Sequence, residues 1–462
     1  MSQEWRLAVT FAGEGAGEEP LAWGQQEIWS AMCRQKTWLP IGGTLPAPAG
    51  ATLEGYAGEL RFTVERHQTM RTLLRLAERE RARQVVHDRG EIGLTVVDLE
   101  PGDDAAAEAE RVRHRFWTTP YDVEREWPVR FAVVRREGVP THVVAVYNHL
   151  VMDAFGGAAM MADLAGRDPV TGAAAAPPPA MQPLEQARWQ ASPAGRRQHE
   201  LAARHWDRQL RTVPPRRFPA LDDSYEEAPD EQVPRYWEGE YLSAALPLAL
   251  RTLAARLAVD TSPILLTALF TTWARLSGDP VGVAQVIVSN RFRPGLADVV
   301  APINQTGLCV TDLAGLTFAS AVGVVRRAMM GAYKHAYYDP LRLDELIASF
   351  GEELDIACFF NDRRVAGRDE PGEPAAAEAL REPGRFAWGR KLHEPFETLF
   401  VHIDDAPGGA LLITVCADTR YVPPRSIRAV AQGIEKVLVE AAIDPEAPVE
   451  SPAARPATVG AG

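Results

Sequence analysis

In the first part of the chain, 59–64 alternates apolar and polar residues, and 7–11, 94–99, 129–134 and 142–147 are short, mostly apolar runs rich in β-branched and aromatic residues; all five read as strands. Between them, 24–33, 70–87, 105–118 and 155–165 space their apolar positions at three and four residues and predict helices. From 167 to 182 the periodicity stops. Asp-Pro, Thr-Gly, four alanines and three prolines follow one another there, and the stretch reads as an interdomain linker. Beyond it, helices are predicted at 194–210, 246–259, 263–276, 319–332 and 424–440, and strands at 281–289, 307–311, 355–360, 396–403 and 410–417.

Each half therefore mixes a sheet with covering helices, with no short repeat, and the predicted class is α/β, of the α+β sandwich type. The predicted boundaries are a first lobe at 1–170, a linker at 171–190, a second lobe at 191–446 and a disordered Ala- and Pro-rich tail at 447–462. The Gly-, Pro- and Glu-rich stretch 367–384 is too long for a plain connection.

At 462 residues the chain exceeds one comfortable core, which supports the two-lobe reading. A net charge of -13 argues against a nucleic-acid binder or a membrane-surface protein, since either calls for a basic face. One segment runs against this balance: 188–217 holds eight arginines against Glu200 and Asp207. It reads either as a solvated helix or as a docking patch for an acidic protein partner. The four cysteines are scattered without metal-ligand spacing, so neither a disulfide framework nor a metal site is expected. Without a secretion-type N-terminus or a run of eighteen apolar residues, the expectation is a cytoplasmic protein.

Candidate chemistry concentrates where the apolar strand at 142–147 runs into Asn148-His149-Leu150-Val151-Met152-Asp153-Ala154-Phe155-Gly156-Gly157. A strand that ends in a polar turn can present an imidazole at a cavity wall, and Asp153 stands where it can cap the following helix and order the turn. The same His-x-x-x-Asp spacing recurs at His335 and Asp339, but on a helix-like stretch closed by Pro340, and reads as structural. Gly13-Glu14-Gly15-Ala16-Gly17 mimics a dinucleotide loop, yet its glutamates would repel a phosphate and Pro20 spoils the helix that should follow. The chain has no phosphate-binding Gly-x-x-x-x-Gly-Lys loop, no zinc-protease His-Glu-x-x-His and no Gly-x-Ser-x-Gly elbow.

The loop at 148–154 resembles the His-His-x-x-x-Asp-Gly signature of the condensation domains of nonribosomal peptide synthetases and their acyltransferase relatives. Other segments resemble that family's motifs in its order: 21–29, Arg66-His67-Gln68-Thr69-Met70-Arg71-Thr72, 120–131, 293–306, Phe359-Phe360-Asn361 and Phe396-Glu397-Thr398-Leu399. The resemblance spans about 20 to 440, and several ordered weak motifs are jointly far more specific than one. It implies two chloramphenicol-acetyltransferase-like lobes in a V with a tunnel between them, and a latch from the second lobe near 367–384. It also implies that His149 is the catalytic candidate, that Asp153 pairs with Arg66 or Arg71, Arg66 being favoured, and that Asn304 either lines the tunnel or serves as a turn residue.

Two positions depart from the signature. Asn148 stands at the first His, where it can still hydrogen-bond but cannot titrate. Ala154 stands at the terminal Gly, so either the turn is reshaped or the Gly156-Gly157 pair supplies the freedom. The resemblance implies a free-standing condensation enzyme that moves an acyl or aminoacyl group from the phosphopantetheine thioester of a carrier protein to a small amine or alcohol, with no bound cofactor. An acyltransferase using acyl-coenzyme A and a non-catalytic recruitment domain are the alternatives.

Overall fold

The structure, a computed structural model, describes residues 3–76, 81–168, 171–177, 181–215, 217–218, 234–351, 354–365 and 383–450. The chain forms two compact units. The first takes Met1–His199 together with Ser289–Gln305 and Asp339–Leu341, and the second takes Glu200–Val288, Thr306–Tyr338 and Arg342–Gly462. The first unit thus runs past the predicted linker. A helix, Pro183–Ala191, begins inside 171–190, and Gln190 accepts from the Trp23 backbone N–H at 3.0 Å, which fixes this segment to the first unit. The predicted second lobe likewise gives up 289–305 to the first unit.

The first unit is built on strands β1 (Gln3–Ala12), β2 (Gly17–Pro20), β3 (Pro40–Pro46), β4 (Thr72–Leu76), β5 (Ala82–Val86), β6 (Arg89–Leu99), β7 (Val129–Arg136) and β8 (Val139–Asn148). Its main sheet has the order β1-β6-β7-β8-β3, and β2-β5-β4 form a smaller sheet. Helices α1 (Trp23–Gln35), α2 (Leu53–Arg66), α3 (Ala105–Thr118) and α4 (Ala154–Ala165) accompany them. On one sheet face, Leu53, Tyr56, Leu60 and Val64 of α2 pack on Leu94, Val96 and Val133. On the other, Trp29 and Met32 of α1 and Val112 of α3 pack on Val97, Val134, Val144 and Val146. Strand β8 sits inside this sheet, so its end is held from both sides.

Two expectations here are overturned. The run 59–64 alternates like a strand but lies within α2: Leu53, Tyr56, Leu60 and Val64 share a helical face, and the Thr52 hydroxyl caps the start by accepting from Gly55 N–H at 3.0 Å. In the charged run 70–87, expected to be a helix, 72–76 and 82–86 are strands, and 77–80 lie outside the described residues. Its burial alternates along β4 and β5, which pair antiparallel. Arg and Glu favour helix locally, but one buried side per strand decides the outcome.

The second unit carries β9 (Tyr236–Ser243), β10 (Val281–Val288), β11 (Gln305–Asp312), β12 (Cys358–Asp362), β13 (Arg385–Leu392), β14 (Leu399–Asp405) and β15 (Leu411–Asp418) in one sheet ordered β11-β10-β12-β14-β15-β9-β13. Its core joins that sheet to the helices Ala245–Leu257, Thr261–Ser277, Phe318–Lys334 and Pro424–Ile443. Strand β13, just after the expected latch region, pairs with β9 in this unit's own sheet; 366–382 lie outside the described residues. The expected tail is ordered at its start. Val449 is buried and its N–H donates to Leu316 O at 3.0 Å, while 451–462 lie outside the described residues.

Candidate active site

Strand β8 alternates Val144, Val146 and Asn148 into the interior and ends at Asn148. The Asn148 N–H donates to Pro128 O at 3.0 Å, its carbonyl accepts from Val151 N–H at 3.0 Å, and its Oδ1 accepts from Leu150 N–H at 3.0 Å. The chain therefore turns sharply and leaves His149 half-buried at the strand's end. Its Nδ1 lies 2.9 Å from Met152 O. A carbonyl only accepts, so Nδ1 carries the proton, and the neutral ring keeps its lone pair on Nε2.

Asp153 is 1% exposed and ends the turn as the N-cap of α4. Its Oδ1 accepts from Gly156 N–H at 2.7 Å and from Arg291 Nη2 at 2.6 Å, and its Oδ2 accepts from Ile303 N–H at 3.1 Å. Its guanidinium partner is Arg291 and neither of the two expected arginines. Arg66 instead grips Asp163 on α4 through two bonds of 2.6 Å, and Arg71 is buried against the carbonyls of Gly15, His87 and Glu14. The guanidinium that reaches Asp153 comes instead from the returning segment 289–305.

Gly156 makes that approach possible. A Cβ there would stand 3.1 Å from Arg291 Nη2 and 3.2 Å from Ala301 O. Ala154 takes the first position of α4 in ordinary helical backbone, so the freedom of a glycine is not required of it. Gly24 is required for another reason: a Cβ there would fall 2.1 Å from Pro302 O, so α1 could not lie against the strip that carries Ile303. Asn304, next along, is half-buried, and its Oδ1 has no hydrogen-bond partner among the described residues.

Asp163 shows strong electrostatic tuning. Burial alone would raise it, but hydrogen bonds from His67, 3.2 Å away, and from Arg66, with their charges, outweigh burial and hold it down at about 2. Among the described residues no group of three or more His, Cys, Asp or Glu gathers to hold a metal. In the second His-x-x-x-Asp copy, His335 caps the helix Phe318–Lys334 and stacks on His205 at 4.5 Å. In the Arg-rich segment, Arg196, Arg197, Arg204 and Arg208 are exposed, whereas Arg188 pairs with Glu19, Arg211 pairs with Asp207 and Arg217 is buried. Arg216 lies outside the described residues.

Arg291 and the Ile303 N–H were not legible as site residues. The motif at 293–306 marked their neighbourhood, but nothing in Arg291-Phe292-Arg293 distinguishes a buried anchor from a surface charge.

The family model of the condensation domain matches residues 58–452. The chain is 24% identical over 369 residues to a probable non-canonical nonribosomal peptide synthetase, CymA, of Salinispora arenicola, covering 76% of this chain and 4% of that protein. It is 25% identical over 340 residues to the phosphinothricin tripeptide synthetase PhsC of Streptomyces viridochromogenes, covering 70% of this chain and 30% of that protein. The chain thus spans a small part of the length of these relatives. Among solved structures, the condensation domain that mediates chain release from the enacyloxin polyketide synthase superposes with a TM-score of 0.70 at 18% identity, over 97% of this chain and 86% of that one. The X-domain from teicoplanin biosynthesis gives a TM-score of 0.70 at 17% identity, over 95% and 98%. At such identities the likeness is one of fold.

Proposed function

The chain belongs to the condensation-domain family, and from that premise we propose that it transfers an acyl or aminoacyl group from the pantetheine thioester of a carrier protein to an amine or alcohol. The observation that carries this reading is the His149 ring, fixed through Nδ1 on Met152 O with the lone pair of Nε2 left for a proton. As the amine or hydroxyl attacks the thioester carbonyl, Nε2 takes its proton; the new C–N or C–O bond forms, the C–S bond breaks, and the proton passes to the departing thiolate. The loop supplies alignment as well as basicity, since a fixed imidazole beside two bound reactants replaces an encounter in solution.

The exposed Arg196, Arg197, Arg204 and Arg208 offer the acidic carrier a complementary surface. The test is acyl loss from a loaded carrier protein, followed by intact mass with candidate acceptors, beside acyl-coenzyme A as donor. His149→Ala is expected to slow turnover on the order of 10²-fold without abolishing it. A variant that turns over at the wild-type rate removes His149 from the mechanism, and preference for acyl-coenzyme A replaces the carrier with a soluble donor.

A further inference from the structure

Asn148 is 1% exposed, and its N–H, carbonyl and Oδ1 each have a partner; its Nδ2 amide has none among the described residues. An amide donor buried without an acceptor costs enough that a native structure rarely leaves one. Asn148 also lines a cavity of about 20 Å³, together with Gln25, Thr69, Thr72, Tyr121 and Leu150. That volume admits one water molecule.

The hydrogen-bonding character of the wall is specific. The Thr69 hydroxyl donates to Val300 O at 3.0 Å, the Thr72 hydroxyl donates to Gln68 O at 2.6 Å, and the Tyr121 hydroxyl donates to Glu126 O. With their protons committed, these hydroxyls have only lone pairs left, whereas the group of Asn148 still without a partner is the Nδ2 donor. An occupant must accept from Asn148 and donate to hydroxyls. Ammonium and metal cations cannot accept an N–H, a halide cannot donate, and a water does both.

We propose that Asn148 is a positioning residue that holds the His149 turn through one internal water, bound in this cavity between its side-chain amide and the hydroxyls of Thr69 and Thr72. The turn is then anchored at both ends. Asp153 is tied to Arg291 and Ile303, and Asn148 is tied through the water to Thr69, whose hydroxyl reaches Val300 in the same returning segment. The water site stands on geometry alone; its effect on catalysis rests on the acyl-transfer reading above.

A high-resolution crystal structure of the full chain is expected to show one ordered water within hydrogen-bonding distance of Asn148 Nδ2 and at least one of the two threonine hydroxyls. Asn148→Leu is expected to expel it and to lower kcat about tenfold or more while KM stays unchanged, because a displaced imidazole costs alignment and not binding. Thr72→Val is expected to move kcat the same way, and Thr72→Ser, which keeps the hydroxyl, to restore it; this pair decides the matter if Asn148→Leu does not fold. A wild-type cavity without density, an Asn148 amide bonded directly to protein, or Asn148→Leu with unchanged kcat overturns the proposal. If the wild-type protein transfers no acyl group, the functional reading fails by itself and the density still decides the water site.

Discussion

The Asp153 carboxylate and the Arg291 guanidinium stand 138 residues apart in the chain and 2.6 Å apart in space, and their contact closes the turn that carries His149. Arg291 also donates to Ala297 O and Val299 O at 3.0 and 2.9 Å, so one side chain gathers its own loop and fastens it to the start of α4. The imidazole is therefore placed by a segment far from it in sequence.

Removing one partner of this buried pair leaves an uncompensated charge. Arg291→Ala is expected to destabilise the protein by about 3–5 kcal/mol, read as a lowered denaturant midpoint, with a fall in turnover. A variant that unfolds with the wild-type midpoint would show that the contact does not hold the turn.

Gly156→Ala places a methyl group 3.1 Å from Arg291 Nη2 and 3.2 Å from the Met152 Cβ. Relief requires the guanidinium or the turn to move, at a cost of about 1–3 kcal/mol. Activity is expected to fall more than stability, since Met152 O also holds the His149 ring. Gly157→Ala, whose nearest neighbour is the flexible end of the Met152 side chain, is expected to be milder; equal losses in the two variants would refute this ranking.

Asp163 titrates at about 2 in the folded chain, below its value in an unfolded one. A depressed carboxyl contributes stability that is present above the unfolded value, near 4, and is lost as pH falls through the folded one. Unfolding free energy measured from pH 5 to 2 is expected to drop more steeply for wild type than for Asp163→Asn. Parallel curves would remove the ion pair with Arg66 from the acid limb.

His205 is shifted in the same direction, over a higher pH window. Burial first, then the neighbouring His335 and Arg208, lower it to about 4. Between that value and the ordinary imidazole value near 6.5, the unfolded chain binds more protons than the folded one, so stability falls as pH drops through this window. Urea midpoints between pH 7 and 4 are expected to decline less in His205→Gln, and an unchanged slope counts against the assignment.

The helices at 105–118 and 155–165 and the strands at 129–134 and 142–147 were legible because each buries one stripe or one side, and that periodicity is written locally. The runs 59–64 and 70–87 misled for a shared reason: their local pattern or propensity favours one state, while the partner surface selects the other. Strands β3, β9 and β13 were missed; β3 and β13 carry few buried positions, and their pairing partners are distant in the chain.

By itself the sequence determined the family and the mixed α/β class, and it marked the turn that carries His149 and Asp153, because those depend on identity and short spacing. Tertiary structure alone decided which guanidinium meets Asp153, that the first unit takes back 289–305, and that Asn148 faces a cavity of water size. A charge pair between distant segments leaves no local periodicity to detect. It is set by which backbones can approach, and here that approach depends on a glycine without a side chain at position 156 and on another at position 24.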